Sequence, residues 1–247
     1  MPNFIDSPRA ALLESQQTRP SFGNHGMREQ QPVTIDRLRA THANRRKEIR
    51  ARLMEFDYVW NSGSDARLWE EMVYCIFTAG SSASSGMNAV NAVKPLLNHG
   101  SRGAITRALK EPPAYRFHNV RAEHLVATRR FLRKSLSMRL RDKLKSFRDP
   151  AERRDWLAKT PEIKGLGYKE ASHFLRNIGF KGYGILDKHI IRCLAELGVL
   201  DSAKPPTTRA RYLASESRMK DFAKDVDINF DELDLALWSM KTGKILK

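Results

Sequence analysis

The chain has 247 residues, of which 41% are hydrophobic, so it can bury the core of one large or two small domains. Lysine and arginine number 44 against 28 acidic residues, and the formal charge of +16 favours a polyanionic partner such as a nucleic acid. The only cysteines, Cys75 and Cys193, are too few for a four-cysteine zinc site or iron–sulfur cluster.

Residues 1–45 are predicted to be a flexible or basic extension, followed by one folded domain over 46–247. Proline, glycine and polar residues spread through the first 33 or so positions with weak periodicity, a composition that buries little. No apolar stretch approaches the ~18 residues of a membrane span, and the first residues lack the apolar core of a secretory signal. We therefore expect a cytoplasmic protein, or a nuclear one in a eukaryote, with no membrane partner.

Helical periodicity follows the extension. One apolar stripe at i, i+4, i+7 and i+11 consists of Ile49, Leu53, Phe56 and Trp60, and a second runs from Leu68 to Ala79. The small residues Gly80–Gly86 predict a turn, with the next helix beginning near Met87. Further helices are predicted over 101–110, 119–136, 150–159, 168–178, 188–197, 218–226 and 230–242. No stretch alternates as a strand does, so the predicted fold class is all-α.

Two runs of the chain are strongly basic, Arg37–Arg52 and Arg129–Arg154. Either run could face a phosphate backbone, but on helices such runs more often form a solvated face. They support a nucleic-acid partner without locating its site.

The most informative segment is Thr160–Phe180, with the sequence TPEIKGLGYKEASHFLRNIGF. Two glycines allow a sharp turn, and a helix follows whose buried stripe includes Ala171. A glycine hairpin that enters a helix N-terminus exposes backbone N–H groups, which suit a DNA phosphate. The residues assigned to this hairpin are Lys164, Gly165, Leu166 and Gly167.

On the helix after the hairpin, Lys169, His173 and Arg176 recur at i, i+4 and i+7, on the face turned away from the Ala171 stripe. That face could line a cleft or a base pocket. The same spacing is also typical of an ordinary solvated helix face, so it does not by itself indicate a site.

Asp187 stands directly before the next amphipathic helix, in the sequence GYGILDKHIIRCLAELGVL. An aspartate at this position is predicted to be the helix N-cap, because its carboxylate satisfies the first free N–H groups. Capping needs no catalytic role. A capping carboxylate nevertheless stays ionised and points in a defined direction, so it can also serve in catalysis.

Together these motifs resemble a known family. GLGYK, with a lysine two residues after its second glycine, and LDKH, with an aspartate 18 residues later, resemble the lysine-bearing branch of the helix-hairpin-helix DNA glycosylases. The segments KGLGYKEASHFLRNIG, ILDKHI, RFHNVRAEHLVATRRFL and DELDLALWSMKTGKILK are similar to the type 2 8-oxoguanine DNA glycosylase/AP lyase family. The resemblance covers about residue 65 to the end.

The resemblance implies a two-lobed helix-hairpin-helix fold with the DNA cleft between the lobes. It places the nucleophilic amine on Lys169 and its carboxylate partner on Asp187, and it implies Schiff-base formation followed by β-elimination of the strand. An amine that attacks the sugar must be neutral. We therefore expect partial burial, and cations such as Arg176 or protonated His173, to disfavour its charged form.

A base that is flipped out of the duplex needs an apolar or aromatic pocket. The candidates for its wall are Trp238, which could equally be a core residue, Lys247 near it at the end of the chain, and more weakly Phe117. Asn229 with Glu232 predicts a capping arrangement at the start of the last helix. We expect a monomer on double-stranded DNA containing an oxidised purine, with no required cofactor; a monovalent cation could bind at the hairpin.

Two other functions remain open at this level. Hairpins of this kind also serve as nonspecific phosphate grips, so the chain could be a DNA-binding module without catalysis. The joint presence of Lys169 and Asp187 argues against that alternative. The same fold could also act on another lesion, such as an oxidised pyrimidine or an alkylated base.

Overall fold

The computed structural model describes residues 32–246, and in that range the chain forms eleven α-helices, a short 3-10 helix at Lys94–Leu96 and no strand. The helices are α1 Ile35–Ser62, α2 Asp65–Thr78, α3 Ala83–Val93, α4 Arg102–Lys110, α5 His118–Leu136, α6 Leu140–Lys145, α7 Pro150–Lys159, α8 Tyr168–Asn177, α9 Lys188–Glu196, α10 Arg209–Asp225 and α11 Phe230–Thr242. The all-α prediction is confirmed. None of these helices has the length and apolar character of a bilayer-spanning segment.

Side chains immediately before the helices set most of their starting points. Ser101 accepts a hydrogen bond from Ala104 N at 3.2 Å, and Asp149 accepts one from Ala151 N at 2.8 Å. Such caps satisfy N–H groups that lack a partner within the helix. Because the caps are local, the predicted helices over 101–110, 150–159 and 230–242 agree closely with α4, α7 and α11.

The first helix begins earlier than its apolar stripe indicates. Thr34 caps α1 by accepting from Arg37 N at 3.3 Å, and Leu38 is fully buried. The folded region therefore starts before the boundary predicted between residues 45 and 46. Residues 1–31, and the prediction of a flexible extension there, lie outside the described residues.

Three other differences come from weak local signals. The expected turn Gly80–Gly86 contains the start of α3, because Ser82 Oγ accepts from Ser85 N at 3.1 Å and acts as an N-cap. Likewise α10 begins at Arg209 behind the cap Thr208, well before the predicted 218–226. The short helix α6 was not predicted at all.

Two groups of buried apolar side chains form the core. The first lies mainly among α2 to α8 and includes the fully buried Trp69, Tyr74 and Phe77. The second lies among α1, α9, α10 and α11 and includes Ile49 and Leu237. Helix α8 belongs to the first group and α11 to the second. The space between α8 and α11 therefore lies where the two cores meet.

Part of the second basic run is internal. Arg129 is buried and donates to the carbonyl oxygens of Leu97 and Gly100 at 3.1 and 2.6 Å. Arg154 is also buried and forms two hydrogen bonds with Glu216, at 2.6 and 3.0 Å. A phosphate-facing role is therefore wrong for these two arginines, whose charges bind groups of the chain itself.

Candidate active site

A cavity of about 940 Å³ lies where α8, α9 and α11 come together. Six of the residues singled out from the sequence line it: Gly167, Lys169, His173, Arg176, Asp187 and Trp238. The volume is in the range of cavities that hold small organic ligands. The fold thus brings together residues as far apart in the chain as Gly167 and Trp238.

The hairpin Lys164–Gly167 lies beside this cavity and is held against α5. Gly165 has φ +82°, and a Cβ there would stand 2.7 Å from His124 Nδ1. The backbone N–H of Lys164 donates to Thr128 Oγ1 at 2.9 Å. Leu166 is buried in the first core, so this hairpin residue anchors the turn instead of facing solvent.

Replacing Gly165 with alanine is expected to lower the free energy of unfolding by about 2 kcal/mol. The added Cβ meets His124, and the left-handed backbone is unfavourable for any residue with a Cβ. Gly198→Ala is the matched control, since Gly198 has φ +71° with nothing within 4 Å of the added Cβ. Urea unfolding should show a smaller loss there, of about 1 kcal/mol. Equal losses would mean that the close approach to α5 contributes nothing.

Lys169 lies in the first turn of α8, next to the hairpin. Its side chain is 26% exposed, and its Nζ lies 3.0 Å from Glu170 Oε1. The amine is therefore accessible from the cavity and paired with a carboxylate. The sequence predicts that cations such as Arg176 disfavour the charged form of the amine. In the structure, the charge of Arg176 is instead compensated by Asp234.

Asp187 is the N-cap of α9, as its position predicts. Its Oδ1 accepts hydrogen bonds from His189 N and Ile190 N, both at 2.8 Å. Its backbone is extended, and the helix begins with the next residue. The carboxylate that lines the cavity is thus held in place by two backbone donors.

A buried ion pair forms another part of the cavity wall. Arg176 Nη1 donates to Asp234 Oδ2 at 3.0 Å, and the guanidinium lies 4.9 Å from the centre of the Phe56 ring. Burial raises the pKa of Asp234 to about 6; Arg176 opposes this rise and the charge of Asp187 adds to it. Both side chains are buried, so removing one partner would leave an uncompensated charge.

His173 lies between Lys169 and Arg176 in the sequence of α8. It is buried, and its ring packs edge-on against Tyr74 with centroids 5.6 Å apart. Beyond the first turn of α8, the face opposite the Ala171 stripe is therefore not exposed to solvent. Its side chains pack against other helices, and only some of their atoms line the cavity.

The chain between α8 and Asp187 has no regular structure, yet side chains bind several of its backbone N–H groups. Each acceptor lies on α10 or α11. The pairs are Gly182 N to Asp231 Oδ1 at 2.9 Å, Gly184 N to Glu216 Oε1 at 2.8 Å, Ile185 N to Asp234 Oδ1 at 3.4 Å and Leu186 N to the Tyr212 hydroxyl at 3.3 Å. These bonds fix the path of the chain into Asp187, because buried N–H groups need acceptors.

The C-terminal part closes one side of the cavity. Trp238 is half-buried and lines the cavity together with Leu246, whereas Ile245 is buried in the second core. Lys247 lies outside the described residues. Phe117 does not line the cavity, although its ring lies 3.6 Å from the Cβ position of Gly80 at the cavity edge.

The cap of α11 has one unexpected feature. Asn229 Oδ1 accepts from Asp231 N at 3.0 Å and Glu232 N at 3.3 Å, which confirms the predicted cap. The carboxylate of Glu232, however, binds His42 at 2.6 Å and Arg50 at 2.7 Å. Glu232 therefore joins α11 to α1, and no reciprocal capping bond is seen.

Sequence reasoning missed two cavity residues, Glu170 and Asp234. Glu170 adjoins Lys169 and could have been found as a charged neighbour of the candidate amine. Asp234 carries no local signal, because it lies inside the last helix and its partner Arg176 is 58 positions away. Among residues 32–246, no three His, Cys, Asp or Glu side chains cluster as a metal site requires.

Comparison with known proteins identifies the family of this chain. The family model described as 8-oxoguanine DNA glycosylase, of the helix-hairpin-helix type, matches residues 49–228. The chain belongs to the 8-oxoguanine DNA glycosylase family. It is 39% identical over 212 residues to an 8-oxoguanine DNA glycosylase/AP lyase of Korarchaeum cryptofilum, an alignment that spans 86% of this chain and 96% of the other.

Solved structures of the 8-oxoguanine DNA glycosylase family share the fold. The enzyme of Methanocaldococcus jannaschii in complex with a 15mer DNA containing 8-oxoguanine is 32% identical, with a TM-score of 0.77 over 86% of this chain and 99% of the other. The glycosylase of Thermotoga maritima is 29% identical with the same TM-score, over 86% and 98% of the two chains. Lys169 and Asp187 fall inside the matched range 49–228, whereas α11 follows it.

Proposed function

We propose that this chain excises 8-oxoguanine from double-stranded DNA and then cleaves the strand, with Lys169 as nucleophile and Asp187 as its carboxylate partner. One observation carries the proposal: both side chains line a single cavity beside the hairpin, in a member of the 8-oxoguanine DNA glycosylase family. A DNA-binding module without catalysis would need neither an accessible amine nor a fixed carboxylate in that cavity.

The chemistry follows from the two side chains. The neutral amine of Lys169 attacks C1′ of the sugar, and the bond between C1′ and the base breaks with its electron pair leaving on the base. The carboxylate of Asp187 stabilises the positive charge that the sugar develops. Opening of the sugar ring, with a proton passing from the nitrogen to the ring oxygen, leaves a Schiff base. Loss of a C2′ proton then expels the 3′ phosphate.

The hairpin supplies a grip on the DNA backbone. Gly167, the N-cap residue directly before α8, has no side chain to cap the helix. Lys164 and Gly167 are exposed, so a phosphate can approach the N-terminus of α8 from this side. Backbone donors bind phosphates without reading the base sequence, as a repair enzyme that scans DNA requires.

The base pocket is proposed to include Trp238 and the tail. A half-buried indole at the cavity wall offers a flat apolar surface on which a flipped base can stack. We propose 8-oxoguanine as the base, with other oxidised or alkylated bases as the competing substrates. A monomer that needs no cofactor, with at most a monovalent cation at the hairpin, completes the proposal.

Ending the chain after Ile245 is expected to lower release of 8-oxoguanine by about tenfold while changing strand cleavage at a preformed abasic site by less than about twofold. Only the first reaction needs the pocket that Leu246 lines. Ile245 is kept because it is buried in the core, so removing it would also destabilise the fold. Gel assays on the two duplexes measure both rates; equal losses would contradict a role in base binding.

The experiment that tests the proposed function is borohydride trapping on a duplex with one 8-oxoguanine. Borohydride reduces the Schiff base and leaves the protein covalently bound to the DNA. We expect a trapped adduct with the 8-oxoguanine duplex and none with an undamaged duplex. Duplexes with an oxidised pyrimidine or an alkylated adenine test the competing substrates. No adduct with any of them would refute a lysine-based lyase.

A further inference from the structure

Glu170 places a carboxylate directly against the amine that the proposed mechanism uses. Its Oε1 lies 3.0 Å from Lys169 Nζ, and its side chain is 14% exposed, against 26% for that of Lys169. Side chains of consecutive helical residues point in different directions, so their contact does not follow from the sequence alone. Among residues 32–246, Glu170 is the one carboxylate that forms an ion pair with Lys169. The mechanism above gives it no role.

The two carboxylates of the site differ in what binds them. Asp187 accepts from His189 N and Ile190 N, and these donors favour its charged form, which suits the stabilisation of a cationic sugar. Within the described range, no donor except Lys169 contacts the carboxylate of Glu170. No other hydrogen bond therefore opposes the uptake of a proton by Glu170.

We propose that Glu170 is a third catalytic side chain, the base that takes a proton from Lys169 before the amine attacks the sugar. This inference rests on the proposed function, in which Lys169 is the nucleophile. The proton moves from Nζ to Oε1, which leaves a neutral amine with its lone pair and a neutral carboxylic acid. The departing nucleobase, which carries the electron pair of the broken bond, then accepts this proton, and Glu170 is ionised again.

Exclusion of water by the DNA favours this transfer. In water an ammonium and a carboxylate both stay charged, because water solvates each of them. A duplex bound at the hairpin covers the cavity, and two opposite charges lose more solvation there than two neutral groups do. Transfer of one proton removes both charges at once. The reactive amine therefore forms when DNA is bound.

Other titratable and charged groups face the pair and are the same in every variant compared below. On α8 itself they are Tyr168, His173 and Arg176. From the other elements they are Asp187, the α9 residues Lys188 and His189, Tyr212 of α10, Asp234 of α11 and Lys244 after it. Arg121 and His124 of α5 lie at the hairpin. On the helices packed against α8, Asp57 pairs with Lys181, Glu71 with Arg67, and Asp155 with Lys159 and Arg209.

The test compares single-turnover release of 8-oxoguanine by the wild type and by Glu170→Gln from about pH 6.5 to about pH 9. Glutamine keeps the length of the side chain but cannot take up the proton. We expect the wild type to be about a hundredfold faster near pH 7 and to change little with pH. In the variant the proton must pass to solvent, so its rate should rise about tenfold for each unit of pH. The ratio of the two rates should therefore fall steadily as the pH rises.

Strand cleavage at a preformed abasic site should slow as much as base release in Glu170→Gln, because attack on the abasic sugar also needs the neutral amine. A residue that only binds the base would affect the first reaction alone. A loss confined to release of 8-oxoguanine would therefore overturn the proposal.

Glu162→Gln is the matched control, since it removes the same charge beside the hairpin. Glu162 is exposed and does not line the cavity. We expect its rates to stay within about twofold of the wild type at each pH. The same pH-dependent loss in Glu162→Gln would attribute the effect to the net charge near the DNA and would overturn the role of Glu170.

The remaining outcomes are equally decisive. A Glu170→Gln variant as fast as the wild type near neutral pH would show that the carboxylate is dispensable, and a rate ratio that does not change with pH would show a structural loss; either overturns the proposal. Should the variant fail to fold in a melting experiment, the wild type alone is informative, because a rate that rises about tenfold per unit of pH would mean that solvent takes the proton. Borohydride trapping separates the two proposals: no adduct with the wild type overturns the proposed function, whereas an adduct with a constant rate ratio overturns only the role of Glu170.

Discussion

Lys169→Gln is expected to abolish both release of 8-oxoguanine and the borohydride-trapped adduct, a loss of at least about a thousandfold in single-turnover rate. The substitution removes the attacking nitrogen but leaves the hairpin and the buried side of α8 unchanged. Binding to the lesion duplex should therefore persist. Gel assays of base release and a filter-binding measurement at one fixed salt concentration distinguish chemistry from binding.

Lys181→Gln is the control for general loss of a cation. Lys181 is 47% exposed, pairs with Asp57 and does not line the cavity. We expect this variant to form the trapped adduct as the wild type does. Wild-type cleavage by Lys169→Gln would remove Lys169 from the mechanism, and an adduct formed by that variant would point to another amine.

Asp187→Asn is expected to slow base release by about a hundredfold or more while costing little stability. Asparagine is as good an N-cap as aspartate, so the bonds from His189 N and Ile190 N can survive. The loss would then come from the missing charge on the carboxylate. A melting curve measured beside the rate separates the two effects.

Two further variants isolate the capping role. Asp187→Ala removes both cap and charge and should lose about 1 kcal/mol of stability in addition to activity. Asp149→Asn alters the cap of α7, which lies outside the cavity lining, and should leave base release unchanged. Normal turnover by a folded Asp187→Asn would reduce Asp187 to a structural cap.

Features that depend on nearby residues were predicted well from the sequence. The N-cap Asp187, the cap Asn229 and the hairpin at Gly165 all involve groups within a few positions of one another. Helix α10 and the start of α3 were misjudged because their early turns are polar or made of small residues. Periodicity cannot detect a helix whose first turns lack an apolar stripe.

The all-α class, the hairpin, the two candidate catalytic side chains and, by resemblance, the family can all be predicted from the sequence. How these parts meet is visible only in the packed helices: Asp234 binds Arg176 58 positions away, and Glu216 binds Arg154 62 positions away. Helix periods and caps depend on interactions within about four residues, so the sequence displays them. The partner of a buried charge depends on how the helices pack against one another. Packing places the carboxylate of Asp234 against Ile185 N instead of in solvent.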